Sequence, residues 1–289
     1  MPTPRRDHGT VPYTFSIVGV QKAGTSTLMA MIHRHRQVAR SPRKELHYFD
    51  DETRDWSDPD HSDYVCPKGR KAHVAAGDST PLYIFWPQAL RRMHDHNPDM
   101  RLIASYRDPL ERVFSQWSMN RGRRPGRTAD WPDYIREVRP ASLPEELPSG
   151  DLLDRYPAAS GVVRGFYGEQ LERGLDIFPR EQWLLLDFRT MLADHVATMN
   201  RVTEHLGIKP FKDDPKLLHK MGVPPLVEGT APTGADLQGL AELYADDLAT
   251  FERLSGLDVS AWPTRRILDG DLDPTDLADK LGRKVAPQE

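Results

Sequence analysis

With 289 residues the chain is long enough for one α/β core with insertions, and no apolar run approaches the roughly 20 residues needed to cross a bilayer. The opening MPTPRRDHGT lacks the apolar segment of a secretory signal, so a soluble, cytoplasmic protein is expected. A formal net charge of −4 argues against wholesale nucleic-acid binding, and the single cysteine, Cys66, excludes an internal disulfide and lacks metal-ligand spacing around it.

In chain order, Phe15 to Val20 predicts an apolar strand that runs through a small-residue loop into a helix starting near Ser26. His73 to Asp78 predicts a second strand, followed by a helix around Pro87 to Asp95. Arg101 to Asp108 predicts a third strand, and the helix after it carries Pro109 in its first turn, where a missing N–H costs nothing. Between Asn120 and Tyr156 the pattern lapses into a segment rich in Arg, Pro and Glu, which reads either as a functional excursion or as a solvated insertion. Gln182 to Leu192 predicts a fourth strand, and Val196 to Leu206 an amphipathic helix that Gly207 stops. The stretch after Pro263 reads as peripheral, with a short helix from about Pro274. This alternation implies an α/β fold with a P-loop-type parallel sheet flanked by helices, in a single domain with an insertion at about 120–156. Ligands of such sheets bind beyond the carboxyl ends of the strands, where the loops at Gln21, Asp78 and Arg107 are expected to gather.

The first of these loops has the makings of a phosphate cradle. Gly19 and Gly24 stand at P-loop spacing and Ser26 in the hydroxyl position, while Thr25 occupies the place of the nucleoside triphosphatase lysine. The lysine stands instead at Lys22, which points to an anionic nucleotide handled differently from magnesium ATP. Backbone N–H groups and the exposed helix end supply the rest of the attraction for an anion. Downstream, Arg107 leaves a strand end and Ser115 follows two helical turns later, so both suit one further anionic group.

Three segments in order, QKAGTSTL (Gln21 to Leu28), RKELHYF (Arg43 to Phe49) and YRDPLERVFSQW (Tyr106 to Trp117), resemble signatures of the sulfotransferases that use 3′-phosphoadenosine 5′-phosphosulfate (PAPS). The resemblance is to the branch of heparan sulfate N- and 3-O-sulfotransferases and their bacterial relatives, and it extends to the closing helix LYADDLATFERLSGLDVSAW. It implies a domain over residues 13–262, whose insertion lies on the acceptor side, and a tail over 263–289. It implies PAPS as donor and no metal, with Lys22, Ala23, Gly24, Thr25, Ser26 and Thr27 around the 5′-phosphosulfate and Arg107 and Ser115 on the 3′-phosphate. A basic glycine loop near the C-terminus would correspond to HKMGVPP, with Lys220 and Gly222 as contacts.

On the same resemblance Glu45 is the base towards an acceptor hydroxyl, its pKa raised by partial burial, with His47 and Lys22 completing the catalytic set. Relatives carry Glu-Lys before Thr-Pro where this chain reads GDSTPLY, so Asp78 and Ser79 are expected beside the acceptor, Asp78 otherwise capping the following turn, and either Lys44 or an arginine of the excursion substitutes for the lysine. Because the resemblance is to sugar-modifying members, it implies a carbohydrate or a glycosylated small natural product as the acceptor. Arg121, Arg123, Arg124, Arg127, Trp131 and Tyr134 are then either a lid over it or solvent-facing ballast. Two other readings remain open at this level: a P-loop small-molecule kinase with Asp78 at a magnesium-binding strand end, and a catalytically inactive nucleotide-binding protein marked by Ser79.

Overall fold

The computed structural model describes residues 9–67, 69–136, 161–218 and 226–286. Along the chain run β1 (Val11–Pro12), β2 (Phe15–Gly19), α1 (Thr25–Ile32), β3 (Val38–Ala39), β4 (Val65–Cys66), β5 (Ala75–Asp78), α2 (Ala89–His96) and β6 (Arg101–Tyr106). Next come α3 (Pro109–Arg123), α4 (Trp131–Arg136), α5 (Tyr167–Leu175), β7 (Trp183–Asp187), α6 (Phe188–Ala193) and α7 (His195–His205). The last described elements are β8 (Val227–Glu228), α8 (Gly234–Ser255), α9 (Pro263–Leu268), α10 (Pro274–Gly282) and β9 (Val285–Ala286). They form two compact units, one of Met1–Tyr106 with Gly174–Lys220, the other of Arg107–Arg173 with Met221–Glu289.

The first unit is built on a five-stranded parallel sheet in the order β3-β5-β2-β6-β7. All five residues of β2 are buried, as a central parallel strand with both faces covered requires. Phe15, Ile17, Leu28, Met31, Ile103 and Leu186 form the middle of its core. The chain builds β3 and β5 on one side of β2, then crosses to β6 and β7 on the other. The carboxyl end of β2 is therefore the switch point at which ligands of open α/β sheets bind. The expected fourth strand divides in two. Asp187 ends β7 and accepts a hydrogen bond from Thr190 N at 2.7 Å, which caps α6, so an apolar run that reads as one strand becomes strand and helix.

The second unit is mostly helical. Asp108 opens α3 by accepting from Glu111 N at 2.8 Å, with Pro109 in the first turn, and the same carboxylate accepts from Thr264 N at 2.7 Å and Thr264 Oγ1 at 2.6 Å. Burial raises its pKa against these bonds, so the Asp of Tyr-Arg-Asp-Pro is a structural cap joining α3 to α9. α8 starts with a capping box of Thr233 and Asp236 and stops at Gly256, whose φ of 66° suits glycine.

Two expectations change here. Within the excursion, α3 continues to Arg123, and Trp131 and Tyr134 of α4 are buried with Leu110, Trp117 and Tyr244, so these two aromatics are core residues and not part of a lid. Arg121 is likewise engaged, donating to the Thr128 and Glu228 carbonyls at 2.7 and 3.0 Å. Nor is the stretch after Pro263 peripheral: Ile267, Leu277 and Leu281 are buried in that same core, because α9 and α10 present apolar residues at helical spacing. Residues 137–160 of the insertion, and Lys220 and Gly222, lie outside the described residues.

Candidate active site

The phosphate loop leaves β2 at Gly19, where an added Cβ would come within 2.5 Å of Ile84 Cγ2, so glycine is needed for the close approach of the 79–84 turn. Val20 N donates to Ser105 O at 2.8 Å, and Ser105 Oγ returns a bond to Ala23 O at 2.8 Å, tying the loop to β6. Lys22 has φ 76° and Gly24 φ 77°; two left-handed residues separated by one fold the loop back before α1 begins. No side chain caps α1 and no acidic residue lies in its first turn, so its leading N–H groups offer an anion an unopposed partial positive charge. Thr25 and Thr27 are buried while Ser26 is half-buried, which makes Ser26 the hydroxyl available at this end of the helix.

The second element is the loop carrying Lys44, Glu45 and His47. Lys44 Nζ pairs with Glu45 Oε1, His47 Nε2 lies 3.4 Å from Glu45 Oε2, and His47 Nδ1 lies 2.7 Å from Asp50 Oδ2. The Asp50 side chain is 2% exposed and that of His47 52%, so the ring reaches outward from a buried carboxylate. Burial alone would raise the Glu45 pKa, but hydrogen bonds from His47 and Lys44 outweigh it and hold the carboxyl at about 2. The expected upward shift is thus reversed, because two cations flank the group. The hydrogen bond to Asp50 and that to Glu45 lift His47 to about 10. At neutral pH, within this row of side chains, Glu45 is therefore a carboxylate and His47 an imidazolium. His47 has φ 51°; it and Lys22 are the non-glycine residues with positive φ among those described, and both belong to the expected catalytic set.

The loop is held by the turn after β5. Thr80 Oγ1 accepts from Leu46 N at 3.1 Å and from His47 N at 3.4 Å, Asp78 Oδ1 accepts from Leu46 N at 3.4 Å, and the Tyr83 hydroxyl accepts from Tyr48 N at 3.0 Å. One residue on, Ile84 N donates to Val18 O of β2 at 3.0 Å, so a single turn fixes the Glu45 loop to the strand that feeds the phosphate loop. Asp78 and Ser79, expected beside the acceptor, are 0% exposed, and Asp78 is occupied in bracing this loop. Burial lifts the Asp78 carboxyl to about 6 against hydrogen bonds from Tyr83, Thr80, Leu46 and Ser79. Asp50 and Tyr83 carry no functional mark in the sequence beyond an acidic residue three positions after the histidine, the one signal for Asp50, while Thr80 is marked only as the threonine of the Thr-Pro pair in GDSTPLY.

In the second unit Arg107 is mostly buried and faces Glu111, with Nε 3.4 Å from Oε2, while its carbonyl accepts from the Tyr167 hydroxyl at 2.8 Å. Ser115 lies one turn beyond Glu111 on α3 and is half-buried.

A consequence of the row can be measured directly. His47 has a folded pKa raised from 6.5, so its contribution to stability is complete below about pH 6.5 and lost as pH rises towards 10; that of Glu45, lowered from 4.5, is present above pH 4.5 and lost as pH falls towards 2. Proton NMR is expected to find the His47 ring still protonated at pH 8, and Asp50→Asn to bring its midpoint well down. A native midpoint near 6.5 would mean that the row does not form in solution.

A phosphate loop at the switch strand of a parallel sheet places the chain among the P-loop-type nucleotide-binding folds, within which its lysine has left the helix start. Residues 13–221 match the sulfotransferase domain, and the chain belongs to that family. It is 28% identical over 201 residues to heparan sulfate glucosamine 3-O-sulfotransferase 6 of Mus musculus, covering 68% of this chain and 53% of that protein. To the 3B1 enzyme of Homo sapiens it is also 28% identical, with 68% and 47% covered. The chain thus spans about half the length of these curated relatives. A sulfotransferase from Alicyclobacillus acidocaldarius superposes with a TM-score of 0.67 at 24% identity, over 87% of this chain and 99% of that one, a likeness of fold. Among the described residues no helix is long and apolar enough to cross a membrane.

Proposed function

We propose that this protein transfers the sulfuryl group of PAPS to an acceptor hydroxyl, with adenosine 3′,5′-bisphosphate as the second product. The observation that carries the reading is Glu45, an ionised carboxylate on a loop pinned to the strand ends that also feed an uncapped, lysine-bearing phosphate loop. In the reaction the acceptor oxygen bonds to sulfur, the bond from sulfur to the phosphate oxygen breaks, and the hydroxyl proton passes to Glu45. A carboxylate with a pKa of about 2 is a weak base towards a free hydroxyl. It is adequate late in the transfer, when the forming O–S bond has made that proton strongly acidic. Lys22 and the first N–H groups of α1 neutralise charge gathering on the departing phosphate. His47, fixed by Asp50, keeps Glu45 oriented. Arg107 and Ser115 hold the 3′-phosphate, and Lys44 leaves Glu45 when the hydroxyl arrives. The acceptor class is a carbohydrate or a glycosylated small natural product, a reading supported by the glucosamine in the relatives' names.

Donor class can be read by thermal shift. Adenosine 3′,5′-bisphosphate at a hundredfold its Kd is expected to stabilise the fold by about 2.7 kcal/mol, a rise of several degrees, with a smaller response to magnesium ATP. A larger response to magnesium ATP would favour a kinase. Transfer of radiolabelled sulfate to a panel of glucosamine-containing and glycosylated acceptors, run in a chelator, then tests the chemistry itself.

A further inference from the structure

The segment after Pro263 lies beyond the 13–221 family match, yet the second unit builds it in firmly. Leu277, Ala278 and Leu281 are buried with Leu110 and Val113 of α3, and the carbonyl of Lys284 accepts from Val227 N at 3.1 Å where β9 pairs with β8. That packing brings Lys280 Nζ to 3.1 Å from Glu111 Oε1, while Glu111 Oε2 takes Arg107. One carboxylate, 9% exposed, so holds two cations from opposite ends of the unit's sequence. Lys284 lies in the same field: burial and the like charges of Arg107 and Lys280 pull it below the ordinary lysine range, and Glu111 opposes them.

Two cations on one nearly buried carboxylate make a local excess of positive charge, with Arg107 mostly buried and Lys280 58% exposed. Like charges there repel one another, so the arrangement persists because tail packing imposes it, and an arriving dianion would relieve it. A phosphate monoester near pH 7 carries about −1.5 to −2, enough to serve more than one of these cations. Ser115, one helical turn beyond Glu111, adds a hydroxyl donor along the same side of α3.

We infer that Lys280 is a donor-binding residue, completing with Arg107 and Ser115 the site for the 3′-phosphate, and that Glu111 keeps the two cations in register until the phosphate displaces it. The inference rests on the donor reading given above.

Calorimetric titration of the full chain with adenosine 3′,5′-bisphosphate and, in parallel, adenosine 5′-monophosphate tests it. Lys280→Gln is expected to weaken bisphosphate binding about 5- to 10-fold and to leave the monophosphate within about twofold. Lys280→Arg retains the preference, and Glu111→Gln tightens the bisphosphate, a gain that a purely structural role of this cluster would not produce. Melting of each unliganded variant, matched to the native protein, excludes misfolding as the cause of a loss. If the native protein prefers the bisphosphate and Lys280→Gln keeps that preference in full, the inference is overturned and the donor reading stands. If the native protein does not prefer the bisphosphate to the monophosphate, the donor reading fails and this inference with it.

Discussion

Glu45→Gln is expected to lower kcat by about 10²- to 10⁴-fold, the range for loss of a positioned general base, while affinity for adenosine 3′,5′-bisphosphate changes by less than about threefold. The substitution keeps the size of the side chain and removes its charge, so Lys44 and His47 lose the anion they share. The proton released as the hydroxyl attacks then has no acceptor of the right charge. Donor affinity is spared because the proposed phosphate contacts lie elsewhere, on the phosphate loop and on Arg107. Single-turnover transfer of radiolabelled sulfate, with calorimetry of the product nucleotide, separates the two effects. Native turnover in Glu45→Gln would remove Glu45 as the base. Over pH 5 to 8 the native rate is expected not to follow Glu45 or His47, since their pKa values of about 2 and about 10 lie outside that window.

Much of the fold and part of the site are legible in the sequence because they depend on local chemistry. Gly19, Gly24 and the apolar run before them specify strand, turn and helix within a dozen residues, and Pro109 after a strand end specifies the start of α3. Tertiary partners carry no such local mark. Asp108 reads equally well as an ion-pair partner of Arg107 and as a helix cap, and Thr264, more than 150 positions away, decides between them. For the same reason the sign of the Glu45 shift is hidden: burial is inferable from a motif's place in a cleft, but the approach of Lys44 and His47 depends on how one loop bends, with His47 at φ 51°. Trp131 and Tyr134 show the reverse error. Aromatics within a polar, Arg-rich stretch suggest a binding surface, whereas they are the large apolar side chains with which that stretch reaches the core.

Lys22→Ala is expected to reduce kcat by about 10²- to 10³-fold, comparable to removing one preorganised donor to a developing anion, and, unlike the change at Glu45, to weaken the bisphosphate as well. The difference follows from where charge sits. The 5′-phosphate is already anionic before reaction, so Lys22 acts on the bound state and still more on the transition state, when the breaking bond adds negative charge to the leaving oxygen. A displaced lysine suits this role, since from the loop before the helix, with φ 76°, its chain departs from a different point than a lysine at the buried Thr25 would. Alanine at position 22 keeps the same unfavourable backbone region, whereas Lys22→Gly relaxes it; both remove the charge. Equal losses of kcat in the two variants would assign the effect to the ammonium group. Recovery of turnover in Lys22→Gly alone would assign it to loop geometry, and the leaving phosphate would then be neutralised by the end of α1 without Lys22.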